Sequence, residues 1–96
     1  MENVKRNEEG YLTDFSQWNK EVAIEIAKEN EINLEDKHWE VLEYLQGKHN
    51  NEEALSIRGI KKSGVINIKD FYALFPGGPL KISTKIAGIP KPKSCI

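Results

Sequence analysis

The sequence has a single cysteine and no apolar run that approaches the roughly 18 residues needed to span a bilayer. One thiol cannot close an internal disulfide, and with two histidines beside it there are too few sulfur and imidazole ligands for a structural zinc site. Neither a covalent staple nor a metal is therefore expected to hold the fold, and an apolar core must do so. The opening residues, MENVKRNEEG, lack the apolar stretch of a secretory signal, so the expectation is a cytoplasmic protein with no membrane partner. Internal repeats and long low-complexity tracts are missing too. The one glycine-rich stretch, Pro76-Gly77-Gly78-Pro79, follows no strand and has no Gly-Lys-Ser/Thr ending, so it reads as a turn rather than a phosphate loop. No cofactor is expected.

What is present suits a small folded unit. Ninety-six residues, 39% hydrophobic and 30% charged, have the balance of one globular domain, which at this size buries roughly 60–65% of the surface of its unfolded chain. The net charge of −1 conceals an asymmetry: residues 1–57 hold six Lys/Arg against fourteen Asp/Glu, whereas residues 58–96 hold eight against Asp70 alone. Good solvation of both halves is a sufficient cause. A basic segment made to meet an acidic protein groove or a nucleic acid is the functional alternative.

Periodicity points to a mainly α fold, a small orthogonal helical bundle of about five helices with a helix-turn-helix-like part. The segment up to Thr13 either pairs as a β-hairpin or lies on the surface. Thr13-Asp14 signals a helix start, and Phe15, Trp18, Val22 and Ile26 then recur at helical steps to about Asn30. A second helix is expected from Asp36 to about Lys48, with Trp39, Leu42 and Leu45 on its apolar face. Trp18 and Trp39 are expected in the core, and His38 is read as a packing residue. Asn51 is the expected cap of a third helix, which the Lys62-Ser63-Gly64 turn stops, and Asn67 the cap of a fourth. Pro79 opens a fifth that runs to Ile86 or Ala87. The expected division is a helical domain over 1–87 and a flexible arm over 88–96, whose alternating prolines favour extended geometry.

Cys95 stands next to last on that arm. Sulfur is attacked and carried by a thiolate, so a working cysteine needs access and positive neighbours to lower an ordinary pKa of about 8.5. Lys91 and Lys93 are near in sequence, and Arg58, Lys81 and Lys85 are candidates to be near in space. The carboxylate of Ile96 opposes them. A modestly reactive thiol, activated when a partner encloses the arm, is the expectation.

The stretch LFPGGPLKISTKIAGIPKPKSCI resembles the C-terminal signature of the DsrC/TusE family, and GYLTDFSQW and EINLEDKHWEVLEYL resemble its upstream segments. The resemblance implies a helical domain with a small N-terminal hairpin, a mobile arm and a cysteine-based sulfur relay. By it, Cys95 bears the persulfide, Gly88, Pro90, Lys91 and Pro92 shape and steer the arm, and Arg58 and Lys81 belong to the basic surface beneath. The implied partners are a sulfur-donor carrier protein and an acceptor, either a tRNA-thiolating enzyme or a sulfite reductase. Members that serve dissimilatory sulfite reductase have a second cysteine eleven residues before the last, where this chain has Thr84. That departure puts their two-cysteine redox cycle in doubt and points to the one-cysteine, TusE-like branch, a sulfurtransferase acting as a carrier more than as a multiple-turnover enzyme. The alternatives are a DsrC-like partner of sulfite reductase and a helix-turn-helix DNA-binding regulator using Arg58, Lys61, Lys62 and Lys69. The regulator reading is weakened by the aromatic, core-like character of Asn67 to Tyr72.

Overall fold

The computed structural model describes residues 4–53 and 55–90. Among these, a 3₁₀ turn over Phe15–Gln17 precedes five helices: α1 Lys20–Glu29, α2 Asp36–Asn50, α3 Ile57–Ser63, α4 Ile68–Leu74 and α5 Pro79–Ile86. The mainly helical expectation holds.

The N-terminal hairpin is not confirmed. Arg6 and Leu12 form one antiparallel bridge, and the described residues contain no strand. The Asn7 carboxamide oxygen accepts the backbone N–H of both Glu9 and Tyr11, at 2.9 and 3.0 Å. These bonds close a compact loop in which a longer ladder would have lain.

The first expected helix is divided. The Asp14 carboxylate accepts the Ser16 N–H at 2.9 Å and caps only the 3₁₀ turn. Asn19, in extended conformation, then caps α1 by accepting the Val22 N–H at 2.9 Å. The chain bends between these caps because the Trp18 ring is drawn across to α5, where its Nε1–H donates to the Ile86 carbonyl at 2.8 Å.

The α2 helix runs through Gly47 to Asn50, and Asn51 terminates it by donating to the Gly47 carbonyl. Asn51 is therefore not the cap of α3. Ser56 has that role, its Oγ accepting the Gly59 N–H at 3.0 Å. The fourth and fifth helices start where their signals stand. Asn67 accepts the Asp70 N–H at 2.8 Å, and Pro79 opens α5 after Gly77 and Gly78, both at positive φ.

The α5 helix is the spine: it packs against α1, α2 and α4, while α3 packs on α4. Leu80, Ile82, Ser83, Thr84 and Ile86 are all buried, so the helix has almost no solvent face. Around it lie Ile26, Val41, Leu42, Leu45, Ile60, Phe71 and Phe75, each almost fully enclosed. Full burial of such a side chain is worth roughly 1.5–3 kcal/mol, enough to order a small domain without a staple. His38 is the buried exception among imidazoles. Its Nδ1 accepts the Glu35 N–H and its Nε2 lies 3.0 Å from the Leu74 carbonyl, so it locks the start of α2 to the end of α4. Its ring meets Phe75 edge-on at 5.1 Å.

A two-pronged ion pair ties the N-terminal loop to α1. Arg6 donates to both Glu29 carboxylate oxygens at 2.8 Å, and its Nε donates to the Gly10 carbonyl. The hydrogen bonds from Arg6, reinforced by charge attraction against some desolvation, hold the Glu29 carboxyl below its usual range. A depressed carboxyl contributes stability that is present above the unfolded-state pKa, about 4.3, and is lost as pH falls through the folded value. Glu29→Gln is expected to lower stability at pH 7 by about 0.5–1 kcal/mol. Urea unfolding at pH 7 and pH 3 checks this: the difference between the two proteins should shrink at the lower pH.

Candidate functional site at the root of the C-terminal arm

The last carbonyls of a helix have no partner within it, and their accommodation decides where the chain goes next. At the end of α5 the Gly88 N–H donates to the Lys85 carbonyl at 3.1 Å and the Ile89 N–H to the Thr84 carbonyl at 3.2 Å. With Gly88 at φ +78°, this pair of bonds is a Schellman stop. The next two carbonyls are taken by distant side chains: Trp18 donates to Ile86, and the Gln46 amide donates to Ala87 at 2.8 Å. One turn earlier the Tyr11 hydroxyl donates to the Lys81 carbonyl at 3.1 Å. Side chains from the N-terminal loop, the 3₁₀ exit and α2 thus converge on one helix end.

Gly88 has a second reason to be glycine. A Cβ at this position would run into Cδ1, Cγ and Cβ of Trp18. Ile89 follows with 1% exposure, and Pro90 is exposed. The arm expected from Gly88 onward therefore begins with two residues set in the core, and any movable part starts no earlier than Pro90. Lys91, Pro92 and Cys95 lie outside the described residues.

Of the basic candidates, Arg58 is exposed on α3, and Lys81 is half-buried on α5. Lys85 is turned toward the N-terminal loop, its Nζ 5.4 Å from the centre of the Tyr11 ring. Thr84 is fully buried, and its hydroxyl donates back to the Leu80 carbonyl at 2.8 Å. Trp18 and Trp39, expected in the core, are only half-buried, because one side of each ring faces a groove between α1 and α2. Sequence reasoning did not pick out Tyr11, Trp18 and Gln46 as fixing points. They act 70, 68 and 41 positions away along the chain, and no local pattern marks such contacts.

A family model described as "DsrC like protein" matches residues 1–96. The chain belongs to the DsrC-like family. It is 38% identical over 101 residues to the sulfurtransferase TusE of Photorhabdus laumondii, covering 97% of this chain and 91% of that one. It is 36% identical over 104 residues to TusE of Escherichia coli K12, covering 97% and 93%. Among solved structures, the DsrC of Allochromatium vinosum superposes with a TM-score of 0.82 at 31% identity, over 97% of this chain and 90% of that chain. The oxidized gamma-subunit of the dissimilatory sulfite reductase (DsrC) from Archaeoglobus fulgidus does so at 0.78 and 31% identity, over 97% and 92%. The fold match thus extends over 97% of this chain in both structures.

Gly88→Ala tests the stop. Left-handed backbone costs a side-chain-bearing residue about 1–2 kcal/mol, and overpacking against Trp18 adds about 1–3 kcal/mol. A loss of about 2–5 kcal/mol by urea unfolding is expected, with a shift in tryptophan emission as the Trp18 ring is displaced.

Proposed function

We propose that this DsrC-like chain is a sulfur carrier of the TusE type, which holds a persulfide on Cys95 and passes it between partner proteins. The observation that carries the reading is the arm root. A helix is stopped rigidly at Gly88 and bonded from three sides, and the single cysteine of the chain stands seven residues further on. Such an arrangement lets a partner grip the terminal residues without disturbing the core. The sulfurtransferase relatives and the family signature support the same chemistry.

In the loading step the Cys95 thiolate attacks the outer sulfur of a donor persulfide, R–S–SH. The donor S–S bond breaks, the donor leaves as the thiolate R–S⁻, and Cys95 becomes Cys95–S–SH. One sulfur atom moves and no external oxidant or reductant is needed. Discharge is the same exchange with the acceptor thiolate as nucleophile. Lys91 and Lys93, four and two positions before Cys95 in the sequence, favour the thiolate.

Thr84 bears on the pathway. Its hydroxyl is buried and bonded within α5, and oxygen cannot form a disulfide with Cys95. A one-thiol chain suits transfer rather than a two-cysteine redox cycle, which favours delivery toward a tRNA-thiolating enzyme over service to a sulfite reductase. Arg58 and Lys81 are proposed to contribute positive surface toward the acidic side of the partner, with Pro90, Lys91 and Pro92 guiding the arm.

The test is mass spectrometry of the C-terminal tryptic peptide after expression in cells fed cysteine. One extra sulfur is expected on Cys95, removable by reductant, and Cys95→Ser should reduce 2-thiouridine in tRNA at least tenfold in the host. An unmodified peptide, together with normal tRNA thiolation in the Cys95→Ser strain, overturns the proposal.

A further inference from the structure

The α1 and α2 helices both lean on α5, and between them lies a groove of about 430 Å³. Its walls include Trp18, Ile24, Trp39, Leu42 and Gln46, with Lys20 at the rim, its Nζ 5.9 Å from the centre of the Trp39 ring. Ile24 is 39% exposed, an unusual placement for a large apolar residue in a chain otherwise rich in surface charge. An aliphatic side chain left in water beside two half-buried tryptophans is the composition of a protein-binding hot spot rather than of a solvated face.

Position decides what covers it. Two of the groove's walls are also the fixing points of the arm root, since Gln46 bonds the Ala87 carbonyl and Trp18 is packed on Gly88. The last described residue, Pro90, is two residues beyond that contact, and Cys95 is five further. A chain spans at most about 3.6 Å per residue, so Cys95 lies no more than about 18 Å from Pro90. A cysteine that exchanges sulfur with Cys95 must come within about that distance of Pro90, and the groove shares Trp18 and Gln46 with the helix end from which Pro90 follows.

We propose that the groove between α1 and α2 is the docking site for the protein that exchanges sulfur with Cys95, which seats an apolar side chain against Ile24, Trp18 and Trp39. This rests on the carrier reading above and adds to it where the partner stands. Docking at the arm root limits the volume the thiol must search, and so raises its effective concentration at the partner's cysteine. Tyr72, 45% exposed on α4, is the other large apolar side chain at the described surface, and it lies outside the groove.

The experiment traps the exchange in host cells. Brief diamide treatment joins Cys95 to the partner cysteine as a mixed disulfide, the two thiol hydrogens passing to diamide, and non-reducing electrophoresis with mass spectrometry measures its yield. Wild type, Ile24→Glu and Tyr72→Glu are compared. Both substitutions are at exposed positions, and thermal melts should agree within a few degrees. Ile24→Glu is expected to lower the mixed-disulfide yield at least fivefold, with Tyr72→Glu at the wild-type level and the iodoacetamide alkylation rate of purified Cys95 unchanged in all three.

Equal trapping by wild type and Ile24→Glu, or an equal loss with Tyr72→Glu, overturns the docking site. So does a trapped product consisting of two copies of this chain. Faster alkylation of Cys95 in Ile24→Glu at unchanged trapping assigns the groove to this chain's own C-terminal residues and overturns the proposal as well. If wild-type Cys95 carries persulfide while Ile24→Glu traps normally, docking alone fails. If wild-type Cys95 carries none, the carrier reading fails and this proposal with it.

Discussion

The end of α5 is the constraint on which the rest of the molecule turns. A helix at the centre of a small domain must either continue into solvent or be stopped with its carbonyls satisfied, and here the stop is built from parts of the whole chain. Gly88 supplies the left-handed turn, and Ile89 plugs back into the core. Trp18, Gln46 and Tyr11 take carbonyls from α5. The Trp18 ring also occupies the space a Cβ on Gly88 would need, so the indole and the missing side chain are two halves of one contact.

From that constraint follows a division of labour. The domain spends its apolar residues around α5, whose burial leaves α1 and α2 leaning on it and open toward each other. Rigidity at the root suits the proposed carrier: the contacts that order the domain lie before the segment that bears Cys95. The same geometry sets an aromatic groove beside the end of α5, the place proposed for a partner's surface. Carrier, stop and groove are in this sense consequences of how one short helix ends.

Much of this was legible in the residues. The Asn67 cap, Pro79 in the first turn of α5 and the glycine that follows Ala87 are local signals: a side chain that accepts a backbone N–H three positions on, a ring that fixes φ, and a residue free to turn left-handed. The family likeness rests on a long C-terminal motif that survives without any knowledge of contacts. Signals that compete were misread: Asp14 and Asn19 both cap, and a periodic apolar face alone cannot tell one helix from a 3₁₀ turn followed by another. Asn51 could cap or terminate, and the continuation of α2 through Gly47 made it a terminator. The hairpin expectation is not confirmed: Arg6 and Leu12 make one antiparallel bridge, beside which the Asn7 side chain takes the N–H groups of Glu9 and Tyr11.

The residue types at short spacing were sufficient for the helical class, for most helix boundaries and for the presence of one thiol in a proline-containing segment. They could not reveal that Gly88 and Ile89 belong to the core, that Thr84 is sealed inside α5, or that two tryptophans share a groove with an exposed isoleucine. Each of those facts depends on contacts between positions tens of residues apart. Caps and turns are short-range energies written into neighbouring side chains, whereas the enclosure of a helix end exists only once the elements that enclose it have packed.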